Sequence, residues 1–204
     1  MGAGASTFNA DSLGKTLEDK MKALLPDYFI EGVVITPNDV DLARNSWQLI
    51  IQSTSPEYIS LKSRPEGFEY RTCKLWFSDQ FSVLSAESGR VPSLLYNATT
   101  KIKENAINGM FNMLLSMYVD KTPEERLCQL RDMANVHANR MGVRCYQYAA
   151  VGGLYMKTLR VCLGSAYDDE VETAWKRLFS ATLQVLLPLA IEAEAEIHAR
   201  KQRK

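Results

Sequence analysis

Two histidines occur in the chain, and only His137 lies in a stretch patterned to bury a side chain; His198 lies near the basic end. Leu127, Leu130, Met133 or Ala134, His137 and Met141 recur three or four residues apart, so on a helix they share one stripe. Gly142 then supplies the permissive backbone that ends a helix, and Val143 follows it. An inward-facing imidazole has two uses. It is a core histidine with both nitrogens hydrogen-bonded, or it is the single protein ligand to an iron held in a flat apolar cofactor. Four cysteines, Cys73, Cys128, Cys145 and Cys162, are scattered without ligand-like spacing and read as reduced thiols.

The company His137 keeps favours the second use. The order Leu130, Met133-Ala134, His137, Gly142-Val143, Tyr148, Val151-Gly152, Leu159, Leu163-Gly164, Glu170-Val171, Ala174-Trp175 resembles the last three helices of the globin family. In that family a histidine binds haem iron, a Gly-Val corner follows, a long helix crosses the pocket, and the final helix carries an Ala-Trp pair near its start. The resemblance implies an all-α globin fold of about seven to eight helices, packed ridge-in-groove around a haem pocket. It implies haem b as cofactor and His137 as the metal ligand. Leu130, Met133, Val143, Tyr148 and Val151 are implied to lie against the cofactor. Ordinary core packing would serve Tyr148 and Val151 equally well.

These residues need helices to position them. Thr122-Pro123-Glu124-Glu125 reads as a capping box with proline at the first helical position, so the helix carrying His137 starts there. After the corner, a helix over 146–163 carries Tyr148, Val151, Leu154 or Tyr155, and Leu159. Gly152-Gly153 in its middle costs roughly 1 kcal/mol per residue against alanine, and a close helix crossing would explain tolerating it. The last helix begins near Asp168-Asp169-Glu170, acidic residues suited to its positive end. Pro188 should kink or end it, yet residues 189–199 again read as helix, so an extension beyond a bend is expected.

Upstream, Thr36-Pro37 starts a helix with Val40, Ala43, Trp47 and Ile50 or Ile51 inward. Trp47 resembles a packing tryptophan of globins and is assigned no chemistry. Residues 53–70 break the pattern with Pro56, Pro65 and Gly67, an insertion expected to form a surface loop. A helix over 71–85 follows, with Leu75, Phe77 or Ser78, Phe81 and Leu84 inward. Val91-Pro92-Ser93-Leu94-Leu95-Tyr96 resembles the short turn from which globins commonly stack a phenylalanine on haem, which puts Tyr96, or else Leu95, in that place.

The helix over 98–118 would face the open side of the iron. It carries Ile102, Ile107, Met110 or Phe111, Leu114 and Leu115, and neither histidine nor glutamine stands at a usable position. In one register Ile107 faces the ligand with Phe111 a turn deeper; in the other Lys103 faces it with Ile107 deeper. A polar donor to iron-bound oxygen contributes roughly 1.5–3 kcal/mol, and walls of Phe77, Ile107 and Phe111 lack one. Carbon monoxide and nitric oxide need it less, which shifts weight from oxygen storage to gas sensing or redox signalling. A neutral Lys103 is the exception, and desolvation would have to lower its pKa considerably.

Lysine plus arginine equals aspartate plus glutamate at 24 each, which gives no global field for nucleic acid or an anionic substrate. No apolar run was found to reach the roughly 18 to 20 residues of a membrane-spanning helix. Met1-Gly2-Ala3-Gly4-Ala5-Ser6 fits the N-myristoylation pattern, with Gly2 as the acylated residue. One such chain binds a bilayer marginally; Arg200-Lys201-Gln202-Arg203-Lys204 would add attraction to an anionic surface. Residues 10–25 read as an amphipathic helix (Leu13, Leu17, Met21, Leu24) that packs on the protein, followed by an extended linker at 31–35.

The expected organisation is an extension over 1–35, a globin domain over 36–190 and a basic helical tail over 191–204. The expected location is cytoplasmic, on the cytosolic face of a membrane when Gly2 is acylated. Two functions compete. One is a haem protein that binds a diatomic gas (O2, NO or CO) for sensing or redox signalling. The other is a globin-fold adaptor without haem that engages a signalling protein. Catalysis ranks third, because no base, nucleophile or paired carboxylates converge in the sequence.

Overall fold

The computed structural model describes residues 16–88 and 100–203, with positions 100, 102 and 103 described by backbone alone. Gly2, Ser6, Leu13, Leu95 and Tyr96 lie outside the described residues, as do the side chains of Ile102 and Lys103. Every regular element among the described residues is helical: α1 (Leu17–Leu24), α2 (Pro37–Ile51), α3 (Pro56–Lys62), α4 (Cys73–Ser88), α5 (Thr100–Val119), α6 (Pro123–Val136), α7 (Cys145–Leu163) and α8 (Asp169–Gln202). The architecture is all-α and globin-like, with an added N-terminal helix and an extended last helix.

Local chemistry sets the starts. Thr36 caps α2: its hydroxyl accepts from the Asp39 N–H at 3.2 Å, and its own N–H donates to the Asp39 carboxylate at 2.8 Å. Thr122 and Glu125 make the same reciprocal pair ahead of α6, at 3.2 and 2.8 Å. Each box satisfies two of the N–H groups that a helix start leaves orphaned. Asp168 caps α8 by accepting from the Val171 N–H at 2.9 Å.

The centre is aromatic. Trp47 of α2 stacks on Phe111 of α5 with centroids 4.0 Å apart, and Phe77 of α4 meets both rings edge-on at 5.5 and 5.7 Å. Trp175 of α8 closes the far side, edge-on to Phe111 at 5.1 Å. Its indole N–H donates to Ser46 Oγ at 3.0 Å. Such aromatic pairs each contribute about 0.5–1.5 kcal/mol beyond the area they bury. They lock α2, α4, α5 and α8 together around one point.

Two expectations change, and one holds. Residues 53–70 are not simply a loop: Ser55 caps α3 through the Tyr58 N–H, and Pro56 occupies its first turn. Tyr58 is buried and packs on Phe68 and Trp76, so the insertion is anchored to α4 by aromatic contacts. The helical extension expected beyond Pro188 is present: Pro188 lies inside α8, and burial continues past it at Ala190 and Ala193. That helix is also long and apolar enough to cross a membrane by length and composition, but 56% of its most apolar window is buried inside the protein. Burial against α2, α6 and α7 accounts for its apolarity.

The stripe of α6 is narrower than its spacing predicts. Leu130 and Ala134 are buried, while Leu127 and Met141 at its ends are exposed.

Candidate functional site

His137 stands where α6 gives way to a single wider turn, a π-helical segment over His137–Met141. Such turns are rare and recur at functional positions, because they rotate a side chain off the regular helical register. Gly142 ends the turn at φ 66°, a left-handed conformation that costs glycine nothing. The Val143 N–H then donates to the His137 carbonyl at 3.0 Å. The Gly-Val corner is therefore the device that turns the chain from His137 into α7.

One turn into α7, the Tyr148 hydroxyl lies 3.1 Å from His137 Nδ1. The two rings are nearly parallel, at 23° with centroids 5.7 Å apart. Burial holds the His137 pKa below its ordinary value, so the imidazole is neutral near pH 7. Burial, then the charge of Glu194, push the Tyr148 phenol up and keep it protonated. A neutral imidazole has one N–H and one lone pair, and Nδ1 takes either role against a phenol. With Nδ1–H donating, Nε2 carries the lone pair. Among the described residues Nε2 has no hydrogen-bond partner.

Glu194 of α8 completes this corner. Its carboxylate accepts the Cys145 N–H at the start of α7, where an anion meets the positive end of a helix. Burial first, then the Glu194 carboxylate, push the Cys145 thiol up to about 12. Nothing in the sequence singled out Glu194. It sits beyond residue 190 in a repetitive Ala-Glu stretch, read as tail, and only the packing of α8 on α7 brings it here. Cys145 likewise carried no signal apart from its position beside the corner.

The other candidates fall into two groups. Leu130 is buried on α6, and Met133, Tyr148 and Val151 are half-buried and pack against the same continuous core. Val143 is half-buried at the corner. Phe77, Ile107 and Phe111 are all buried in that core too, but the ring contacts of Phe77 and Phe111 are with Trp47 and, for Phe111, also with Tyr155 and Trp175. The ring contact of His137 is with Tyr148. Between the phenylalanines and the imidazole no ring contact exists among the described residues.

The donor set selects what kind of metal would suit the site. No cluster of three or more histidine, cysteine, aspartate or glutamate side chains suited to a metal exists among the described residues. A bare divalent ion needs such a cluster. One neutral imidazole, with Nδ1 held and Nε2 unengaged, fits instead a metal whose remaining ligands arrive with an apolar macrocycle. On the donor set alone, His137 fits haem.

No family model matches the chain. Over 82 residues, 40% of its length, the chain is 30% identical to a flavohemoprotein of Rhizobium meliloti (strain 1021), and the match covers 19% of that protein. The chain thus spans only a minor part of this curated relative.

Proposed function

We propose that this chain is a haem-binding globin in which His137 Nε2 is the single protein ligand to haem b iron. The observation that carries the reading is the half-buried, neutral His137, set on a π turn with Nδ1 held by Tyr148. The all-helical fold, the resemblance that runs from Leu130 to Trp175 and the similarity to a flavohemoprotein support it. When bound, haem supplies an iron that takes a diatomic gas and exchanges single electrons.

The chain's own residues do the rest. With Nδ1–H donating to the Tyr148 hydroxyl, the bond orients the imidazole and raises the basicity of Nε2. The negative charge of Glu194 beside Tyr148 acts in the same direction. Leu130, Met133 and Val151 supply apolar surface and exclude water. With Phe77, Ile107 and Phe111 buried among aromatic rings, no polar donor for a bound gas comes from these three. The proposed function is therefore sensing or redox signalling through NO, CO or O2 rather than oxygen storage.

The test is haem titration of the full chain beside His137→Ala. A stoichiometric Soret band that is lost or shifted in the variant supports the reading; a band indifferent to His137 overturns it.

A second reading, a globin-fold adaptor without haem, is favoured by the stacking of Trp47 on Phe111 at 4.0 Å. Phe111, expected to line the pocket, is there engaged by a packing tryptophan and, edge-on, by Phe77. Acylation of Gly2, a membrane contact through Arg200–Lys204 and a signalling partner belong to both readings as proposals.

A further inference from the structure

The chain ahead of α2 does more than cover apolar surface. The Tyr28 ring lies in a notch on α7 made by two adjacent glycines. A Cβ added at Gly152 would stand 2.2 Å from the Tyr28 hydroxyl, and one at Gly153 would stand 3.6 Å from the ring. A Cβ at Gly152 would also stand 3.4 Å from the Phe179 ring of α8, so the glycines make room for a docked phenol as well as for the neighbouring helix. The hydroxyl donates to the Ala149 carbonyl at 3.1 Å, and the ring meets Phe179 edge-on. Two bonds pin the next residues to α8: the Ile30 N–H donates to Ser180 Oγ at 3.0 Å, and Gln184 Nε2 donates to the Ile30 carbonyl at 3.5 Å.

The notch weakens α7 in its middle, because glycine is the poorest helix former after proline. The weakened stretch follows directly on the turn that presents Tyr148. Tyr28 grips that turn at Ala149, the residue after Tyr148. A group that fills the notch and bonds the neighbouring carbonyl restores the stiffness that the glycines remove.

We propose that Tyr28 is a positioning residue: docked in the Gly152–Gly153 notch, it fixes the turn of α7 that holds the Tyr148 hydroxyl on His137 Nδ1. The proposal rests on the reading of His137 as the functional imidazole. It makes the N-terminal extension a part of that site rather than an appendage.

Two substitutions test it from opposite sides. Tyr28→Ala empties the notch, and Gly152→Ala fills it and expels the ring while improving the helix propensity of α7. The readout is the imidazole 15N spectrum of haem-free full chain, with Tyr148→Phe as the reference for a lost bond. Expected is a shift of the Nδ1 resonance toward the Tyr148→Phe position in both variants. Hydrogen exchange at residues 145–151 should rise about fivefold in Tyr28→Ala. An unmoved Nδ1 resonance in a natively folded Tyr28→Ala overturns the proposal, as does a Tyr148→Phe spectrum identical to that of the parent. Opposite movements in the two variants would trace the effect to helix propensity and also overturn it. Should Gly152→Ala fail to fold, Tyr28→Ala decides alone. No haem is present, so failure of the haem reading shows in the titration above and not here.

Discussion

The Tyr148 hydroxyl stands 3.1 Å from Nδ1 of His137, across the corner that Gly142 opens between α6 and α7. In the proposed haem site this bond orients the imidazole and, with Nδ1–H as donor, raises the basicity of Nε2. Tyr148→Phe keeps the ring and its packing and removes only the hydroxyl. Partners of this kind typically contribute 10–100-fold to metal affinity. Haem transfer to an excess of a competing apoprotein should therefore be about 10- to 100-fold faster in Tyr148→Phe. An unchanged transfer rate would remove Tyr148 from the site.

Glu194 reaches the same corner from α8 and holds the Cys145 N–H. In Glu194→Gln the amide still accepts that bond, but the negative charge is gone. Burial is the larger cause of the raised Cys145 thiol pKa and persists; the carboxylate's share does not. The thiol should titrate below its present value of about 12, read as thiolate absorbance against pH. Helix-end charge effects of roughly 0.3–1 kcal/mol should appear as lost stability in the same variant.

How much of this was legible beforehand follows from the range of each interaction. Thr122 and Glu125 marked the start of α6 because capping engages groups three residues apart, Pro37 marked that of α2, and the acidic run at Asp168 that of α8. The Gly142 corner was legible for the same reason. The fold of residues 53–70 was not, since its anchors, Tyr58 and Phe68 on Trp76, follow no helical period. Pro188 removes one donor from α8, yet side chains on both of its flanks are buried, so tertiary packing carries the helix past it. Glu194 and Tyr28 reach α7 from 49 and 121 residues away, distances over which local pattern has no reach. His137 and Tyr148 were both singled out by pattern and resemblance; the bond between them, and the approach of Glu194 and Tyr28, were not.

Asp39 gives a pH dependence with a definite sign. Burial pushes its carboxyl up, but the Thr36 hydroxyl and N–H and the Arg177 guanidinium together outweigh burial and hold it below its ordinary value. A depressed folded-state pKa contributes stability that is fully present above the unfolded value, and that is lost as pH falls through the folded one. Asp39→Asn should be less stable than the parent at neutral pH. The gap between their denaturant midpoints should close below about pH 4. A gap that persisted unchanged to lower pH would mean that the carboxylate's charge contributes nothing to folding.

Gly164, between α7 and α8, should tolerate no side chain. Its backbone sits at φ 57° and ψ −124°, a region that strains residues carrying a Cβ. Space is short as well, because an added Cβ would stand 2.9 Å from the Cβ of Glu57 on α3. Backbone strain alone costs on the order of 1–3 kcal/mol. Gly164→Ala should lose at least that much in equilibrium unfolding, while Glu57→Gly in the same background should return only the part due to crowding. If the double variant recovers full stability, the strain at Gly164 is negligible and close packing of α3 accounts for the whole effect. Because α3 lies in the stretch expected to be a loop, that outcome would also show the insertion bracing the α7–α8 junction through contact alone.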